Sequence, residues 1–107
     1  MNTELKIKYQ NDFARVRELV NSFDPCGFIE IGAPLDEYDS LVNKILSFTY
    51  DKKAREEIRK MILYEIEYPY GCIDLSVINE PYKTKFYSDV EELLDNVEKL
   101  NLKGTSK

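Results

Sequence analysis

The sequence predicts a mainly α fold: a single domain of about four amphipathic helices over residues 1–100, with a short β element admitted near 73–78 and a polar tail at 101–107. Three observations predict it. Apolar residues recur at three- and four-residue spacing in four separate stretches. Clusters of proline, glycine and asparagine interrupt the chain between most of those stretches. A length of 107 residues, with 43% hydrophobic content, suffices for one core burying roughly two thirds of the unfolded surface.

The first helix is carried by Phe13, Val16, Leu19, Val20 and Phe23, opened by Asn11-Asp12. It ends at Asp24-Pro25, because the residue before proline is pushed out of the helical region. Upstream, Leu5, Ile7 and Tyr9 alternate with Lys6 and Lys8. That pattern fits a short strand or the first turns of the same helix, and helix is the expectation.

Asp24-Pro25-Cys26-Gly27 is a turn signal leading into a loop anchored by Phe28, Ile29 and Ile31. Asp36 is expected to begin the second helix, with Tyr38, Leu41, Val42, Ile45 and Leu46 on one face and Phe48 to Tyr50 at its end. Asp51 reads as the N-cap of a third helix with Glu56 and Glu57 in its early turns. Ala54, Ile58, Met61, Ile62 and Ile66 form its stripe, and Tyr68-Pro69-Tyr70-Gly71 terminates it. Ile73, Leu75 and Val77 alternate as in a short extended segment, followed by a turn at Asn79-Glu80-Pro81. Ser88-Asp89-Val90-Glu91 matches a capping box and starts the last helix, with Val90, Leu93, Leu94, Val97 and Leu100 inward.

Charge is segregated along the chain. Between Arg17 and Lys44 lie six acids and no cation, and from Met61 to Tyr82 four acids and no cation. Those windows carry −10 while the remainder, with 10 acids against 15 Lys and Arg, carries +5. Segregated charge of one sign steers association and specifies partners more than it stabilises a fold. The expectation is an acidic surface that meets a basic protein.

Composition lowers the other classes. Histidine is absent, which removes the commonest general base, the commonest metal ligand and every Ser-His or Cys-His pair. The four glycines are isolated, so no phosphate loop is formed. An acidic chain with pI near 4.8 repels a phosphate backbone, so direct nucleic-acid binding is not expected. Counting twelve residues from Asp36 lands on Ser47 and not on a glutamate, so the calcium-loop pattern fails. No catalytic residue, metal or cofactor is assigned. The N-terminus has no charged-then-apolar leader and no apolar run approaches about 20 residues, so a cytoplasmic location off the membrane is expected. Cys26 and Cys72 are expected as two reduced thiols, with a bridge or a redox role as the alternative.

Phe23-Asp24-Pro25-Cys26-Gly27-Phe28, followed by Gly32-Ala33-Pro34-Leu35-Asp36-Glu37-Tyr38-Asp39, resembles a family of small bacterial proteins that share a "DPxG…aPxDEYD" stretch between two helices. The resemblance covers residues 13 to 66 and implies no catalytic residue, because the family has no settled activity. Phe23 stands where tryptophan is common in that family. In size, charge and composition the chain also resembles the immunity proteins encoded beside contact-dependent and other secreted bacterial toxins.

The functional expectation is therefore a non-enzymatic inhibitor, an immunity protein that neutralises a basic nuclease-type toxin. Asp24, Glu30, Asp36, Glu37, Asp39, Glu65 and Glu67 are its candidate charged contacts, and Tyr68 and Tyr70 its aromatic ones. Tyrosine supplies stiff contact area with a polar tip, which is why it concentrates in interfaces. The blander roles are a turn for Asp24, helix N-terminal electrostatics for Asp36, Glu37 and Asp39, and core packing for half the rings. An intracellular adaptor or regulatory domain with another partner is the alternative.

Overall fold

The structure is a computed structural model that describes residues 3–102. It is all-helical among those residues, with α1 at Thr3–Phe23, α2 at Asp39–Tyr50, α3 at Arg55–Glu67 and α4 at Tyr82–Lys99. Each helix packs against its chain neighbours, and α1 closes the ring against α4. The side-chain pairs give the directions. Tyr50 near the end of α2 reaches Asp12 in the first half of α1, while Arg17 further along α1 reaches Asp39 at the start of α2. Phe23 at the end of α1 stacks on Phe86 early in α4, and Arg15 donates to the carbonyl of Leu100 just beyond α4. The molecule is an up-and-down four-helix bundle.

The apolar stripes meet inside it. Val16 and Val20 of α1, Leu41, Val42, Ile45 and Leu46 of α2, Ile62 and Ile66 of α3, and Val90, Leu93, Leu94 and Val97 of α4 form one buried cluster, joined by Tyr38. Phe13, Leu19 and Phe23 pack partly buried against it.

Several boundaries differ from expectation, each for a local reason. The strand alternative for Leu5 to Tyr9 gives way to helix, which runs unbroken from Thr3. Asp36 does not begin α2. Residues 34–39 form successive turns, with Glu37 N–H on the Pro34 carbonyl and Asp39 N–H on the Asp36 carbonyl, and Asp39 is the first helical residue. Asp51 does not cap α3; it ends α2. Lys52 takes a left-handed φ of 59°, and the N–H groups of Lys52 and Lys53 bond back to Thr49 and Phe48 in the 5→2 and 6→1 pattern of a Schellman ending. α3 starts after Ala54, whose N–H donates to the Glu57 carboxylate at 3.1 Å.

The β element admitted near 73–78 is not formed. Asp74 accepts both the N–H and the hydroxyl of Ser76, and its carbonyl receives the N–H groups of Val77 and Ile78, so the segment closes into a turn. α4 begins six residues before the expected Ser88. The Glu80 carboxylate accepts the N–H and hydroxyl of Thr84, giving an earlier cap, and Ser88 lies mid-helix. Of the expected tail, residues 103–107 lie outside the described residues.

Candidate functional site

Antiparallel topology puts the α1–α2 connection, residues 24–38, and the α3–α4 connection, residues 68–81, at the same end of the bundle. Each acid-only window of the sequence contains one of these connections. The tight α2–α3 turn, with Lys52, Lys53 and Arg55, lies at the other end with Lys6 and Lys8 of α1. The two cation-free connections therefore share one end, while the other end mixes cations with Glu4, Asp12, Asp51, Glu56, Glu57, Asp95 and Glu98. Lys83 and Lys85, in the first turn of α4, bring positive charge to the acidic end.

The two connections are bonded to each other. Cys26 and Cys72 form a disulfide with Cα atoms 5.5 Å apart, across a sequence separation of 46 residues. This corrects the expectation of two reduced thiols. Each cysteine follows the turn that ends an odd-numbered helix, so the topology, and no local pattern, brings them together. Tyr70 adds a second tie: its hydroxyl donates to the Glu37 carbonyl at 3.3 Å and accepts the Leu41 N–H at 3.4 Å. Its ring sits against those of Tyr38 and Phe28.

The first connection is shaped by Asp24. This residue adopts a left-handed φ of 47°, its N–H bonding the Val20 carbonyl, and its carboxylate accepts the N–H groups of Ile29 and Glu30 at 3.0 Å each. The Tyr38 hydroxyl donates to the same carboxylate at 2.6 Å and accepts the Cys26 N–H at 2.9 Å. Burial by itself would raise the Asp24 carboxyl, but the hydrogen bonds from Tyr38, Ile29 and Glu30 outweigh it and hold it below the usual range. Burial, reinforced by Asp24, pushes the Tyr38 phenol up, so it stays a proton donor.

Of the nine expected contact residues, several are engaged internally. Asp24 shapes its own loop. Asp39 is held by Arg17 in a two-pronged pair at 2.9 and 2.5 Å, which raises the guanidinium further above its ordinary value. Glu65 is 3% exposed and paired with Lys44 at 2.8 Å. Glu67 accepts the Leu75 N–H at 2.9 Å and so caps the second connection. Tyr70 is half-buried in the cross-connection tie. The separation of acids from cations in sequence concealed these pairings, because the cations come from other helices.

The remaining four face outward. Glu30, Asp36 and Glu37 are exposed and make no ion pair among the described residues. Interleaved with them, Ile31 is 79% and Leu35 62% exposed. Tyr68 is exposed on α3's C-cap, its ring 5.1 Å from that of exposed Tyr64 one turn earlier. Val77 of the second connection is exposed as well. Sequence reasoning passed over all three: Ile31 read as a loop anchor, Val77 as part of an extended segment, and Leu35 only as a motif position.

Elsewhere the charged side chains engage each other. Arg55 reaches Glu91, Asp95 and Glu98, and Arg59 reaches Glu91 and Glu56, tying α3 to α4. All but the Arg59–Glu56 pair join the two helices. The depression between α1 and α4, lined by Leu19, Phe23 and Leu93, holds the Lys85–Asp89 pair. Among the described residues, no three His, Cys, Asp or Glu side chains converge as a metal site requires. No helix among them is long and apolar enough to cross a membrane.

Comparison with family models, with curated proteins and with solved structures finds no match.

Proposed function

We propose that this chain is a non-enzymatic protein-binding inhibitor, an immunity protein that docks a basic nuclease-type toxin on the disulfide-linked end of its bundle. One observation supports it most: Glu30, Asp36 and Glu37 are exposed, make no ion pair among the described residues, and adjoin exposed Ile31 and Leu35 in one internally braced loop. An exposed carboxylate beside an exposed aliphatic suits a partner that offers arginine or lysine over an apolar stem. Such a partner's cations are those a nuclease uses on phosphates, and covering them blocks its substrate. The docking set is narrower than the sequence implied. It comprises Glu30, Ile31, Leu35, Asp36 and Glu37, with Tyr68 at the margin, while Asp24, Asp39, Glu65, Glu67 and Tyr70 hold the platform in shape.

The test is association with the product of the adjacent gene, which this reading expects to carry a basic toxin domain. Reversing charge at Glu30, Asp36 and Glu37 together is expected to slow association by about tenfold or more at low salt, with little effect at high salt. Unchanged association at both salt concentrations would end this reading. Co-purification with a protein other than a toxin would favour the adaptor alternative.

A further inference from the structure

We infer that the Cys26–Cys72 disulfide is a redox-controlled staple: it locks the two connections into one surface, and its reduction by a dithiol releases them while the four helices stay packed. As regulation of the docking end, this rests on the binding function proposed above.

The bridge is the covalent tie between the two connections, beside the hydrogen bonds and ring contacts of the single side chain Tyr70. Among the described residues, the hydrogen bonds that reach from residues 68–81 to the first connection and the start of α2 are those of the Tyr70 hydroxyl, at 3.3 and 3.4 Å. The other bonds of each connection run within it or to the helix beside it: the Asp24 carboxylate accepts from Ile29 and Glu30, the Leu35 carbonyl from Asn21 of α1, Asp74 from Ser76, and Glu67 and Ile66 of α3 from Leu75 and Cys72. Cutting the bridge therefore leaves each turn formed, with Tyr70 as the remaining tie between them through its hydroxyl and its ring against Tyr38 and Phe28. The core needs no such tie. Val16, Val20, Leu41, Ile45, Ile62, Ile66 and Val90 are buried between helices, with Cys26 packed only at the margin of that cluster. Regions with few buried contacts open at lower free energy than the core that carries them.

The bridge is also reachable. Cys72 is exposed and Cys26 half-buried. A dithiol's thiolate attacks the Cys72 sulfur, the S–S bond breaks, and Cys26 departs as a thiolate that takes up a proton. The second thiol of the reductant then displaces Cys72 from the mixed disulfide. The dithiol leaves oxidised, and the protein gains two electrons and two protons as two thiols. In a reducing compartment such a bond is transient and sensory; in an oxidising one it is permanent.

Hydrogen exchange of the full chain tests this without a partner. Oxidised protein, dithiothreitol-reduced protein and the Cys26→Ser/Cys72→Ser variant are compared. Reduction is expected to speed exchange about tenfold or more at amides in 25–36 and 71–80, with helix-core amides unchanged, and the double variant is expected to match the reduced form in either buffer. Unchanged loop exchange would overturn the proposal, and so would loss of protection throughout the helices, which would make the bridge a condition of folding. Titration of two free thiols in protein kept under oxidising conditions would overturn it too. A second arm measures the toxin domain against both redox forms. Weaker binding by the reduced form supports gating, and equal binding refutes it. Binding to neither form counts against the function proposed above, and the exchange rates alone then decide whether the staple exists.

Discussion

The Tyr38 hydroxyl lies 2.6 Å from the Asp24 carboxylate and accepts the Cys26 N–H at 2.9 Å, so one buried phenol joins the end of α1, the bridged cysteine and the start of α2. The Asp-Pro and Asp-Glu-Tyr-Asp motifs thus contain the two halves of one internal contact. Asp24 and Tyr38 are conformational residues, Asp39 is an ion-pair residue, and Asp36 and Glu37 are the members left to solvent.

Removing that hydroxyl is the most direct check. Tyr38→Phe keeps the ring but strands the Cys26 N–H and takes one of three donors from the Asp24 carboxylate, which keeps those of Ile29 and Glu30, so a loss of about 1–3 kcal/mol is expected in urea unfolding. A loss confined to a few tenths would show that water replaces the phenol.

Core and loop positions should separate cleanly. Ile62 is fully buried, and Ile62→Ala is expected to cost about 2–5 kcal/mol through lost transfer energy and the cavity left behind. Leu35, although as apolar, is mostly exposed, and Leu35→Ser should shift stability by no more than about 0.5 kcal/mol. Thermal unfolding of the two variants side by side reads the contrast.

The Lys44–Glu65 pair gives a prediction of sign. Glu65 is buried, Lys44 half-exposed. Lys44→Met leaves a buried carboxylate uncompensated and should destabilise, whereas Lys44→Met combined with Glu65→Leu should recover much of the loss. If the double variant is no more stable than the single one, the carboxylate carries no desolvation penalty.

Acid sensitivity follows from carboxylates whose folded pKa is depressed. Hydrogen bonds from Arg59 and then Arg55 lower Glu91 from 4.5 to about 2, and Asp24 is lowered as well. Such groups bind fewer protons folded than unfolded, so their stabilisation is present above the unfolded value and disappears as pH falls through the folded one. The contribution of Glu91 is expected to be lost between pH 4.5 and about 2. Glu91→Gln should be less stable at neutral pH and show a flatter acid limb; an unchanged limb would assign the loss to other groups.

The places where sequence reading failed share a cause. Helix starts were misplaced where a side chain outside the apolar stripe made the cap: Glu80 for α4, Glu57 for α3, and the turns ahead of Asp39 for α2. The alternation of Ile73, Leu75 and Val77 suggested extension, yet Asp74 folds the segment back on itself. Glu65 looked like a free acid in a cation-free window, but its lysine sits 21 residues earlier on the neighbouring helix.

The amino-acid sequence alone determined the four helices and the residues that form their core, because helical periodicity acts over three and four positions and is written locally. It also determined that two stretches carry acids without any cation. Only the folded arrangement decided that the acidic blocks share one end, that Cys26 meets Cys72, and that Asp39 and Glu65 are neutralised while Glu30, Asp36 and Glu37 remain open. Those outcomes depend on which helix lies beside which, a choice made by burial of the apolar stripes and the length of the connections, and chain-local spacing carries no record of it.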